Sequence, residues 1–296
     1  MSAGTPRAGA AWCADWLGER LSRPGSALHL ALVRIAFALH ALAVLTSPAL
    51  PLIRRVTDRP LLLTHTMVPP GIERWLVAGD HLDLVIAVGV TAAVCVAVGA
   101  ATRLMLWLLL AAFVLTQNYF FRHSLFHDDW LYFDFYLLVL CVSPCADRLA
   151  IDRLLRPAPP RAPNAHRWPV ELMIGWFALV YVGAAVAKLT PLAKGVVWLS
   201  GGSLQHFAGH FLLDSPIYWV LKRPLFDFSL RWPFCIGSIV CVVVELSAIL
   251  LVVTRRWDAW VVSAIVAMHL VIALLGIPGF VQIALVSAVL FFRPRP

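Results

Sequence analysis

The chain is short of charge. Only 14% of its 296 residues are Asp, Glu, Lys or Arg, where a soluble domain carries about 25%. Lysine is scarcer still: of 24 Lys and Arg residues, only Lys188, Lys194 and Lys222 are lysines. The six cysteines include no CxxC spacing, which argues against a disulfide framework or a zinc site. Cys95, Cys235 and Cys241 sit inside apolar runs, where small buried thiols are common. No basic stretch is interleaved with aromatics to hold phosphates, so the net charge of +8 is read as membrane topology and no nucleic-acid partner is expected. Residues 1–27 lack a continuous apolar core, so no cleavable signal is expected there. Trp12, Trp16, Leu17 and Leu21 suit a short interfacial helix, followed by a first span acting as an uncleaved anchor.

What is abundant is apolar sequence, at 61% of residues. A span needs about 20 mostly apolar residues, fewer when partly shielded. Eight such stretches are expected: 28–47, 82–101, 104–121, 129–145, 169–189, 233–254, 257–276 and 278–293, with loop signals such as SPALP, GAATR, RPAPPRAPN and GIPG between them. The fold class expected is all-α, a polytopic transmembrane helical bundle with short interfacial helices and no evident repeat. A cytoplasmic N-terminus puts thirteen cations on the cytoplasmic side, mostly in short segments, and nine on the other, mainly in long loops. Short loops set orientation, so both termini are expected in the cytoplasm of a cell with the chain in its inner (plasma) membrane. Residues 1–27 then form a cytoplasmic segment, and the 190–232 loop is extracytoplasmic.

A few polar residues inside these spans need a reason. Arg34, in LALVRIAFAL, either snorkels to the inner face or meets a partner or cavity. Glu245, in CVVVELSAILLVV, reaches no loop; it is either an interhelical polar lock or a proton-handling group. His269, in VAMHLVIALL, is a satisfied structural histidine or a ligand-binding one. His123 with His127, and His206 with His210, have the i, i+4 spacing that can hold a metal, but neither brings a third ligand at diagnostic spacing. Lys188 closes the stretch YVGAAVAKL. As an anchor it favours the helix C-terminus and snorkels to the headgroups. As a base in an apolar pocket it would keep a usable neutral fraction, which arginine cannot do.

The order of these motifs resembles the membrane part of the vitamin K-dependent γ-carboxylase family and its bacterial relatives, the HTTM proteins, across residues 28–293. LALVRIAF resembles the family's first span, VGAATRL its arginine-ended junction between the second and third spans, and GAAVAKL its catalytic-lysine segment. HSLFHDDWLY stands where the carboxylase has Trp-Asn-Asn-His, with Asp128 in the place of the histidine. VELSAILL and AMHLVIALLGIPGF correspond in order and spacing. In that enzyme a lysine deprotonates vitamin K hydroquinone, the anion reacts with O₂, and the resulting strong base removes a γ-proton from a peptide glutamate that then takes up CO₂. The resemblance implies a carbon–carbon lyase chemistry with Lys188 as base, and with His127 and Asp128 as catalytic neighbours. His269, Glu245, Arg34 and Trp130 would line the pocket. It implies reduced vitamin K or menaquinol as cofactor, O₂ and CO₂ as co-substrates, no metal, and a small peptide or protein substrate beside the lipid bilayer. The carboxylase's large lumenal region has no counterpart in these 296 residues, so quinol chemistry is expected ahead of protein carboxylation. Two other readings stand beside the enzyme: a non-catalytic partner for maturation, export or immunity of a small secreted peptide, and a histidine-ligated metal oxidoreductase.

Overall fold

Helices that are apolar on every face have nowhere to go but a core or a membrane, and here many of them keep large apolar side chains exposed. The computed structural model describes residues 18–47, 69–77, 81–122, 129–157, 161–190, 198–210, 215–220, 231–275 and 279–292. Among these, every regular element is helical, as the composition predicts. In chain order the helices are α1 (Ala27–Leu45), α2 (Pro70–Val77), α3 (His81–Val98), α4 (Thr102–Arg122), α5 (Asp129–Val142), α6 (Ile151–Leu155), α7 (Arg167–Leu189), α8 (Gly202–His210), α9 (Trp232–Ser247), α10 (Ile249–Val253), α11 (Asp258–Leu274) and α12 (Gly279–Phe291).

The eight expected spans fall on eight apolar helical stretches among the described residues, four of which are long and apolar enough there to cross a membrane. Ala27–Leu45, His81–Val98, Arg167–Leu189 and Trp232–Val253 are long and apolar enough to cross a membrane. Within the described residues, Thr102–Gln117, Phe133–Val142, Asp258–Leu274 and Phe280–Phe291 are shorter apolar stretches. Leu104, Leu179, Val243 and Leu285 are each exposed by more than half. In water such a set would be a liability; in a bilayer it is the lipid-facing surface.

The chain forms two compact units, residues 1–173 with 293–296, and residues 174–292. In the first, α1, α3, α4 and α5 pack on one another. The Ser26 hydroxyl accepts from the His29 amide and caps α1. A Cβ on Gly89 of α3 would lie 2.8 Å from Leu45 Cδ1 and 3.0 Å from Ala112 Cβ, so glycine lets α1 and α4 close on α3. Phe37 packs edge-on against Phe133 and tilted against Tyr136, with ring centroids 5.5 and 4.8 Å away. In the second unit α11 packs on both α9 and α12, and α8 packs on α9. Gly201 has φ +78°, and a Cβ there would sit 2.4 Å from the Cys235 amide nitrogen, so only glycine admits this approach of α8 to α9. The span expected at 233–254 is interrupted: Ala248 N–H donates to the Glu245 carbonyl at 3.1 Å, a tightened turn separating α9 from α10.

Candidate functional site

The second unit collects several of the polar residues that the spans cannot explain. Lys188 lies in the last turn of α7 and Glu245 near the end of α9. The Lys188 ammonium donates to Glu245 Oε1 in a partly buried ion pair, with the lysine side chain 20% exposed and the glutamate 7%. Lys188 Nζ also stands 5.0 Å from the centre of the Trp198 ring, within cation–π range. One turn earlier on α9, the Cys241 thiol donates to the same Glu245 oxygen at 3.6 Å.

This cluster is polar beyond its own needs. Glu245 Oε2 and Trp198 Nε1 are buried and have no hydrogen-bond partner among the described residues, and the same holds for Ser238 Oγ two turns earlier on α9. Each unmade bond costs about 1–3 kcal/mol, and native structures keep such groups rare. An acceptor, a donor and a hydroxyl in this state suit a polar ligand that has a hydroxyl to give and an aromatic face to rest on Trp198.

A second polar pair stands two turns down α7. The Tyr181 hydroxyl lies 2.9 Å from His269 Nε2, and His269 Nδ1 lies 2.8 Å from the Ile265 carbonyl oxygen. A carbonyl only accepts, so Nδ1 carries the proton and Nε2 of the neutral ring accepts from the phenol. Phe280 stacks on His269 with centroids 5.3 Å apart, and Phe177 packs against Tyr181 at 4.5 Å. Both residues are buried.

Arg34 belongs to the first unit and is fully buried there. Its guanidinium donates to the Cys145 carbonyl at 2.9 Å and to the Leu149 carbonyl at 2.5 Å, and approaches the Arg148 carbonyl at 3.5 Å. The turn it holds continues into α6, where Asp152 accepts the Ala101 and Thr102 amides, each at 2.7 Å, and caps α4. Gly99, with φ +75°, fits under this turn because a Cβ would strike Ala150 at 2.4 Å. His123, His127 and Asp128 lie outside the described residues; Trp130 and His210 are placed in helices, but their side chains lie outside them too. Among the described residues no three His, Cys, Asp or Glu side chains converge as a metal site.

Of the residues picked out in the sequence, Lys188, Glu245 and His269 thus fall in one unit and Arg34 in the other. Tyr181, Trp198 and Cys241 were missed as contributors. Tyr181 had a legible signal, since it precedes Lys188 by seven residues and so shares its helix face. Cys241 was read only as a small thiol in an apolar run, and Trp198 was not singled out at all.

Apolar helices with exposed lipid-facing side chains, carrying a charged pair within their polar cluster, define a multi-pass membrane protein. The HTTM domain model matches residues 22–295, and the chain belongs to the HTTM family, whose kinship is with vitamin K-dependent carboxylase-like membrane proteins. No curated protein and no solved structure gives a match.

Proposed function

We propose that this HTTM protein binds a reduced quinone, vitamin K hydroquinone or menaquinol, in its second unit and uses Lys188 as the base for O₂-dependent epoxidation. Carboxylation of a peptide glutamate would be the coupled reaction. The observation that carries the reading is the partly buried Lys188–Glu245 pair beside Trp198. Such a pair has two forms, ammonium with carboxylate and amine with carboxylic acid, and the second leaves no charge out of water. In the amine form Lys188 takes the proton of a hydroxyl held against it: one O–H bond breaks, one N–H bond forms, and Glu245 stands beside the new ammonium. Arginine could hold the pair but not perform the step, because it does not give up its proton. The buried Glu245 Oε2 and Trp198 Nε1 supply a spare acceptor and donor, and the Trp198 ring supplies a face for a flat aromatic headgroup. When bound, the quinol supplies the oxygen-dependent chemistry; the chain binds it, orients it and moves its proton.

An inner-membrane location with both termini cytoplasmic belongs to the same proposal, supported by the cations in the short loops. It puts Lys188 toward the extracytoplasmic face, where a secreted peptide substrate would be met. Membranes containing the protein, supplied with reduced vitamin K or menaquinol, O₂ and bicarbonate, are expected to form quinone epoxide. Lys188→Ala should lower that rate by about 10² or more, the usual worth of a general base. Epoxide formation by Lys188→Ala at the wild-type rate would overturn the assignment.

A further inference from the structure

We propose that the first unit carries a docking surface for an acidic phospholipid around α6, where Leu149, Leu154 and Leu155 enter the bilayer and Arg148 and Arg156 hold the headgroup phosphate. This surface is independent of the proposed quinol site, which lies in the other unit.

α6 is fastened at the depth of the headgroups. The Asp152 amide donates to the Gly99 carbonyl at 2.9 Å, and the Asp152 carboxylate takes the Ala101 and Thr102 amides. The short helix therefore lies against the junction where α3, which is long enough to span, ends and α4 begins. The end of a span meets the polar layer of the membrane. Yet the leucines here turn away from the protein. Leu154 is 83% exposed, more than any other large apolar side chain among the described residues, Leu155 is 74% exposed and Leu149 52%. Leu149 also stands at φ +50°, a left-handed conformation uncommon for a bulky residue, with its carbonyl held by the Arg34 guanidinium. A turn fastened this firmly that still leaves three leucines bare presents them to an apolar partner.

Charge decides which lipid covers them. Arg148 and Arg156 flank the leucines in sequence and are exposed. The two carboxylates of this segment are already engaged, Asp152 by the amides and Asp147 by Arg161 at 2.8 Å and His166 at 2.9 Å. Arg156 lies near enough to Asp152 to act on its charge, but among the described residues neither Arg148 nor Arg156 forms an ion pair. A phosphatidylcholine headgroup carries its own cation. Phosphatidylglycerol brings an unbalanced phosphodiester charge, which a guanidinium binds through two parallel N–H···O bonds.

The test is competition between phosphatidylglycerol and phosphatidylcholine for the full chain in mixed nanodiscs, read as the lipids that stay bound in native mass spectrometry. The wild type should retain phosphatidylglycerol first. Arg148→Gln and Arg156→Gln should each lower that preference about fivefold, the usual worth of one arginine near an anionic surface. Arg148→Lys/Arg156→Lys keeps the charge and should keep most of the preference. Arg255→Gln/Arg256→Gln, in the basic run of the second unit, should leave it unchanged, which separates this surface from a general attraction to a chain of net charge +8. Leu154→Ser/Leu155→Ser should weaken retention of both lipids and keep the preference. Glycerophosphoglycerol, the same headgroup without its chains, should not compete. A wild type with no preference, glutamine variants that keep it in full, a serine variant that retains both lipids like the wild type, or competition by the free headgroup would each overturn the proposal.

Discussion

Lys188 and Glu245 illustrate how a partly buried pair can be judged apart from its chemistry. Breaking a buried ion pair on one side leaves an uncompensated charge and costs about 3–5 kcal/mol, whereas replacing both partners with apolar groups of similar size is often neutral. Glu245→Gln should therefore lower the thermal stability of the protein in detergent, and Lys188→Met/Glu245→Leu should restore most of it. Epoxide formation should be lost in both. Stability regained without activity separates the chemical role from the structural one; a double variant that regained activity would remove Lys188 from the mechanism. Both residues were legible singly, because a lysine in a chain dominated by arginine and a glutamate mid-span each stand out. Their pairing was not legible, since 57 residues of chain separate them and no periodicity spans that distance. Tyr181 was overlooked because a tyrosine in an apolar helix reads as bulk until its hydroxyl is seen to meet His269.

Among the elements, the GAATR junction between α3 and α4 shows how a loop motif becomes a built turn. Its glycine adopts φ +75° beneath Ala150, its two following amides are taken by Asp152, and the buried Arg34 clamps the neighbouring carbonyls. Arg34 was visible in the sequence as an arginine needing a partner. That its partners are backbone carbonyls was not visible, because carbonyls carry no sequence signal. Burial alone would push the Asp152 carboxyl up, but the hydrogen bonds from Thr102 and the Ala101 amide, with Arg156 nearby, outweigh this and hold it below its ordinary value. A carboxyl so depressed adds stability above its unfolded-state value near 3.9 and loses that contribution as pH falls through its folded value. Asp152→Asn should thus be less stable than the wild type by about 1 kcal/mol or more at neutral pH, because its single amide oxygen can replace only one of the two charged acceptors. The two should converge in thermal melts taken below about pH 4. A gap that stayed constant down to low pH would show that the charge of Asp152 does not matter there.

At the scale of the molecule, the all-helical fold and the order of its eight apolar stretches could be read from composition and loop punctuation. The break in the 233–254 stretch, which turns at Ala248 just past Glu245, could not. Hydropathy averages over such breaks; backbone hydrogen bonding does not. The division into two units was equally hidden, since α7 runs without interruption from one into the other. It is the second unit that carries Lys188, Glu245 and Trp198, and so the whole of the proposed chemistry. The most direct test of that chemistry is the steady-state rate of quinone epoxide formation by Lys188→Arg beside the wild type, in the same membranes and at equal protein. Arginine keeps the positive charge and can still pair with Glu245, but cannot act as a base. The account predicts a folded protein with the rate down by about 10² or more; a Lys188→Arg protein that formed epoxide at the wild-type rate would contradict it.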